Sequence, residues 1–78
     1  MKSQSYNDVL KKIRIALNID ESEIVEIFRI NRPLISNSEV HGYLQNEKNR
    51  KYVPIFYENL VKFLDALIFY KRGPGELN

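Results

Sequence analysis

The sequence predicts an all-α domain: a small orthogonal bundle of four or five helices in a helix-turn-helix-like order. Three observations predict it. Apolar residues recur at helical spacing along most of the chain. Two stretches, Asp20-Glu21-Ser22-Glu23 and Ser36-Asn37-Ser38-Glu39, carry a capping residue followed three positions later by Glu. Helix-stopping residues, Asn31-Arg32-Pro33 and Gly73-Pro74-Gly75, fall between or after the periodic stretches.

The first helix follows a polar segment, residues 1–6, expected to be flexible. Asn7 or Ser5 serves as its N-cap, and Asp8 in the first turn complements the helix dipole. Val9, Leu10, Ile13, Ala16 and Leu17 form one apolar face, with Ile15 off it as a second contact point. Asn18 is a stop. The second helix begins near Asp20 and buries Ile24, Val25, Ile27 and Phe28; its β-branched content also suits a strand, but Glu21, Glu23 and Glu26 favour the helix. Leu34 and Ile35 are expected to plug the core from an extended turn.

Ser36 and Glu39 open a short third helix through Gln45, with Val40, Tyr43 and Leu44 inward and Gly42 weakening it by about 1 kcal/mol relative to Ala. A polar loop, residues 46–51, carries Lys48, Arg50 and Lys51. Pro54 is placed to open the last helix at its first position. Leu60, Val61, Leu64, Leu67 and Ile68 give that helix a heptad-like face, widened by Phe56, Phe63 and Phe69, so it should pack on two sides. Lys71 and Arg72 suit its C-terminal end. The expected organisation is one helical domain over residues 7–73 and a disordered tail, residues 74–78.

Seventy-eight residues with a net charge of +2 allow one domain. A chain of this size buries only about 60–65% of its unfolded surface, so its core is thin. The absence of cysteine excludes a disulfide scaffold and cysteine-based metal sites. With 44% hydrophobic residues and little net charge, disorder is disfavoured. No apolar run approaches the roughly 18–20 residues of a membrane span. Met1-Lys2-Ser3-Gln4-Ser5 leads into polar residues rather than the apolar core of a signal peptide. A cytoplasmic protein without membrane association is the expectation.

Signals for catalysis are sparse. His41 is the one histidine and reads as a solvent-facing helix residue; the three glycines, Gly42, Gly73 and Gly75, form no phosphate loop. Glu23 and Glu26 would need further ligands to hold a metal, and the cluster Asp20, Glu21, Glu23 and Glu26 reads as a solvated helix start. No enzyme activity, metal or cofactor is expected.

The order of elements resembles the lambda-repressor-type helix-turn-helix domain over about residues 8–70. In such domains the third helix presents its first residues to base edges in the major groove. Here those are Asn37, Ser38, His41 and Gln45, with Lys48, Arg50 and Lys51 on the phosphates of double-stranded DNA. Glu39 in the reading helix, a turn longer than the motif's and the modest charge all weigh against this, although the sequence pI near 9.0 does not oppose it. The plain alternative is a helix cap beside a solvated loop. A second functional expectation is a protein-interaction or self-association surface. Its candidates are Phe56, Tyr57, Phe63, Phe69 and Tyr70, with Tyr52 beside them, since a thin domain cannot easily bury so many aromatics.

A closer resemblance comes from ordered pieces. Asn7-Asp8-Val9-Leu10-Lys11-Lys12-Ile13-Arg14, Ala16-Leu17-Asn18 and Glu23-Ile24-Val25-Glu26-Ile27-Phe28 look like the opening of the YehS-like family of bacterial domains. Tyr43-Leu44, Phe63-Leu64-Asp65-Ala66-Leu67-Ile68 and Lys71-Arg72-Gly73 fit its later part, so the resemblance spans residues 6–73. Members usually look like two tandem copies of the unit, and this chain holds one, which suggests association of two chains. The family is one of unknown function, so the resemblance implies an all-helical bacterial cytoplasmic domain and no site residues. It makes Asn7, Asp8, Arg14 and Lys71-Arg72 helix caps and end charges.

Overall fold

A computed structural model describes residues 5–73, so residues 1–4 and 74–78, with the predicted C-terminal tail, lie outside the described residues. The fold is all-α. Among the described residues there are four helices: α1 (Tyr6–Leu17), α2 (Glu21–Asn31), α3 (Asn37–Tyr43) and α4 (Tyr57–Arg72). The α2 helix is central, packing against α4 and α3, and α1 lies against α4.

Local chemistry sets the helix starts. Ser5 caps α1 in a reciprocal capping box: its hydroxyl accepts from the Asp8 N–H at 3.2 Å, and the Asp8 carboxylate accepts from the Ser5 N–H at 3.3 Å. Tyr6 is thus the first residue of α1 and Ser5 its cap. Asp20 caps α2 and Ser36 caps α3, accepting from the Glu23 and Glu39 N–H groups at 2.9 and 3.0 Å. Asn18 ends α1 in the left-handed conformation, φ 52°. Pro54 does not open α4: 52–56 forms no regular secondary structure, and α4 starts at Tyr57 after Phe56, which is extended and offers no side-chain cap.

The core joins Leu10 of α1, Ile24, Ile27 and Phe28 of α2, Val40 and Tyr43 of α3 and Leu60, Phe63 and Ala66 of α4. Ile19, Ile35 and Ile55 add to it from the connections. The Phe28 ring lies 4.7 Å from Phe63 and 5.6 Å from Tyr43. Of the predicted turn plug, Ile35 is buried but Leu34 is 97% exposed. The segment is a hydrogen-bonded turn and not an extended one: the Ile35 N–H donates to the Arg32 carbonyl at 3.0 Å, so Leu34 stands at the outer corner while Ile35 enters the core.

The segment 44–56 is held from within. Asn7, only 2% exposed, donates from Nδ2 to the Tyr43 carbonyl at 3.0 Å and the Val53 carbonyl at 2.8 Å. Its Oδ1 accepts from the Ile55 N–H at 3.1 Å and the Tyr52 hydroxyl at 3.0 Å. Both donors and both acceptor positions of the carboxamide are used. Asn7 is thus a buried clamp and not a helix cap. The Val53 N–H also donates to the Gly42 carbonyl at 3.0 Å, laying residues 51–53 on α3.

Candidate nucleic-acid interface and exposed aromatic face

The short α3 helix forms one wall of an open groove of about 600 Å³. Glu21, Asn37, Ser38, Glu39, His41, Lys51 and Val53 line it. The groove therefore gathers four of the seven predicted nucleic-acid residues: Asn37, Ser38, His41 and Lys51. Gln45 reaches it indirectly, bonded to His41, while Lys48 and Arg50 are exposed nearby along the chain but do not line it.

Most of these side chains have partners inside the domain. Asn37 Oδ1 accepts from Arg29 at 2.9 Å. His41 is half-buried rather than simply solvent-facing: its Nδ1 lies 3.1 Å from both carboxylate oxygens of Glu21, and its Nε2 lies 3.1 Å from the Gln45 amide nitrogen. That arrangement fits a neutral imidazole with its proton on Nδ1, donating to Glu21 and accepting from Gln45. Gln45 Oε1 in turn accepts from Asn49 at 3.2 Å. In the loop, the side-chain carbonyls of Asn46 and Asn49 accept from the N–H groups of Lys48 and Lys51 at 3.0 and 2.8 Å, local turns that leave the cationic groups outward.

The acidic side of the groove is also tied down. Arg32 donates to Glu39 at 2.8 Å, and the Tyr43 hydroxyl donates to the same carboxylate. These bonds hold the Glu39 carboxyl below the usual range, Arg32 contributing most and Tyr43 next. Burial, then Glu39, pushes the Tyr43 phenol up. Glu39 is thus a strut between the end of α2 and the body of α3. Sequence reasoning missed Glu21, which it placed in a solvated helix start, and Val53; Glu21 meets His41 only through the fold. Among the described residues no three His, Cys, Asp or Glu side chains come together as metal ligands.

The aromatic candidates divide. Phe63 is fully buried against Phe28, so it is a core residue and its assignment to an interface is corrected. Its position on α4 turns it toward α2. Phe56 and Tyr57 are 66% and 59% exposed, and the Tyr57 ring lies 5.7 Å from that of Tyr6, itself half-exposed. Phe69 and Tyr70 are about 40% exposed at the other end of α4, the Tyr70 hydroxyl reaching Glu23 at 3.4 Å.

Fold and site together define a small all-α domain with a groove whose polar lining includes the internally bonded Glu21, Asn37, Glu39 and His41, and with exposed apolar groups at the starts of α1 and α4. No helix among the described residues is long and apolar enough to cross a membrane. Residues 6–73 match the family described as "protein of unknown function (DUF1456)", and the chain belongs to that family, which is the YehS-like family of the sequence resemblance. No curated protein and no solved structure matches the chain.

Proposed function

We propose that this domain is a non-catalytic protein-interaction module whose docking surface is the α1–α4 face. One observation carries this reading: the exposed rings of Tyr6 and Tyr57 adjoin where α1 and α4 begin, exposed Phe56 precedes Tyr57 in the chain, and half-exposed apolar groups continue along both helices. Exposed apolar groups that adjoin one another, unlike single scattered ones, favour a partner surface. A photo-crosslinking residue at Tyr57 tests it in the producing cell. Crosslinked protein adducts are expected from Tyr57 and not from Ile15, which is 77% exposed but lies on a different side of α1. An adduct-free Tyr57 variant would remove the reading.

A second reading, DNA binding, is favoured by the exposed Lys48, Arg50 and Lys51 beside Asn37 and Ser38 at the mouth of the groove. It ranks lower because Asn37, His41 and Gln45 are engaged internally and two carboxylates, Glu21 and Glu39, line the same groove. A fluorescence titration with mixed duplex DNA at low and moderate salt decides it. Salt-sensitive binding tighter than about 100 μM is expected of even a non-specific DNA binder, and its absence sinks this reading.

A further inference from the structure

The α4 helix carries two apolar seams, and the core buries one of them and touches the other at Leu64. Leu60, Phe63 and Ala66 face inward. Tyr57, Val61, Leu64 and Ile68 follow one another at spacings of four, three and four, the spacing by which a helix presents a continuous edge to a second helix. Tyr57 and Ile68 are exposed and Val61 and Leu64 half-buried, so the edge is open to solvent at its ends and grazed by the core in its middle. On α1, Tyr6, Val9, Ile13 and Ala16 repeat the pattern at three, four and three, with Leu17 beside them; Val9 and Ile13 are half-buried against the core, and Tyr6, Ala16 and Leu17 are exposed. The Tyr6–Tyr57 ring contact shows that the two edges adjoin.

We infer that this face docks a second copy of the same chain, with the two α4 helices antiparallel across a two-fold axis. The inference rests on the reading of the α1–α4 face as an interaction surface and names its partner. Self-complementarity is the argument. A two-fold axis between Val61 and Leu64 sets Val61 opposite the second copy's Leu64 and Tyr57 opposite its Ile68, so each large apolar group of the seam meets another. The same operation sets Glu58 of the acidic first turn level with the second copy's Leu67, with Lys71 of its basic last turn about 6 Å further along the axis and within reach of a long side chain. A parallel pair would set like ends together. Asp65, which falls near the axis beside its own copy, is the one unfavourable neighbour and limits the affinity. At 16 residues, α4 offers a contact edge of about 24 Å. Phe69, turned about 110° from the seam, is not part of it.

Sedimentation velocity on the full chain tests the partner. The mass should rise from 9.2 kDa toward twice that between about 10 μM and about 1 mM. Ile68→Glu, on a side chain that the fold leaves half-exposed, should weaken the dimer at least about 10-fold with its helical circular dichroism unchanged. Ile15→Glu should dimerise as the unaltered chain does. The orientation has its own readout, because the chain contains no cysteine. An oxidised mixture of Val61→Cys and Leu64→Cys chains should give the mixed disulfide in excess over either like pair. A monomer up to about 1 mM, or an Ile68→Glu chain that dimerises normally, overturns the second-copy inference. Like-pair disulfides in excess overturn the antiparallel arrangement. If the chain is monomeric while a Tyr57 crosslinker still captures a different protein, the interaction reading survives without this partner; if neither is seen, both fall.

Discussion

The Asn7 carboxamide donates to the Val53 carbonyl at 2.8 Å, across 46 residues of sequence. With its three other bonds, this fastens the segment before α4 to the first turn of α1. Asn7→Ala would leave the Tyr43 and Val53 carbonyls and the Ile55 N–H short of a partner in a largely buried place. A loss of about 2–4 kcal/mol is expected, since each orphaned group costs about 1–3 kcal/mol and water recovers part of it. Thermal unfolding checks it, with a fall of several °C for each kcal/mol in a domain this small. Asn7→Asp puts acceptor oxygens against two carbonyls. It should be worse than Ala at neutral pH and should partly recover on acidification, as the protonated acid regains one donor.

Gly42 matters for space and not for helix weakness alone. A Cβ there would stand 2.5 Å from Val53 Cγ2 and 2.7 Å from the Lys51 carbonyl oxygen. The usual gain of about 1 kcal/mol for Gly→Ala in a helix is therefore reversed. Gly42→Ala should destabilise by about 1–3 kcal/mol, the ordinary cost of forcing atoms into a packed site. Adding Val53→Ala should recover only part, because the Lys51 oxygen is backbone and cannot rotate away. Urea midpoints of the two variants give the answer. Full recovery in the double variant would mean that the side chain alone sets the limit.

How much of this was legible in the sequence depends on the range of each interaction. The Asp20 and Ser36 caps, the stop at Asn18 and the buried face of α2 depend on neighbours a few residues away, and their patterns predict them. The face read for α4 is corrected: Leu60 is buried with Phe63 and Ala66, while Val61, Leu64 and Leu67 are half-buried and Ile68 is exposed. Asn7 reads as a cap residue by type and position, and nothing local says that residues 43, 52, 53 and 55 converge on it. Gly42 reads as a weak helix residue because its contact is with residues 51–53. Phe63 and Phe69 are both apolar residues of one helix, and only the placement of α2 decides which is buried. Of the candidate site, the closeness of Asn37, Ser38 and His41 follows from helical spacing. The pairing of His41 with Glu21 needs α2 and α3 brought together.

The Arg32–Glu39–Tyr43 cluster makes stability depend on pH at both extremes. The Glu39 carboxyl is held below its ordinary value in the folded state. Its contribution is complete above the unfolded-state value, near 4.5, and is lost as pH falls through the lower folded value. The Tyr43 phenol is pushed up, so folding favours its neutral form. That contribution is present below about pH 10 and is lost as pH rises beyond it. Glu39→Gln should cost about 1 kcal/mol at pH 7, a modest figure for a partly exposed pair, and should flatten the acid limb of a denaturant-midpoint profile. An acid limb as steep as that of the unaltered chain would show that other carboxylates govern it.

The Glu21–His41 pair joins the first turn of α2 to α3, yet both side chains are about 40% exposed. Its energetic coupling should therefore be small, about 0.5 kcal/mol in a double-mutant cycle of Glu21→Gln and His41→Ala. Its chemical consequence is more specific. Neutral His41 accepts from the Gln45 amide through Nε2, and Gln45 Oε1 accepts from Asn49. The same Gln45 amide nitrogen donates to the His41 carbonyl at 3.2 Å, so the ring is one of its two partners. In His41→Ala the Gln45 amide loses the ring and can reorient, so the side-chain amide resonances of Gln45 and Asn49 should move together at neutral pH. In Glu21→Gln they should stay closer to their places, because the Gln45 contact is at Nε2 and not at Nδ1. An Asn49 amide resonance that stays fixed in His41→Ala would show that the relay through Gln45 does not operate.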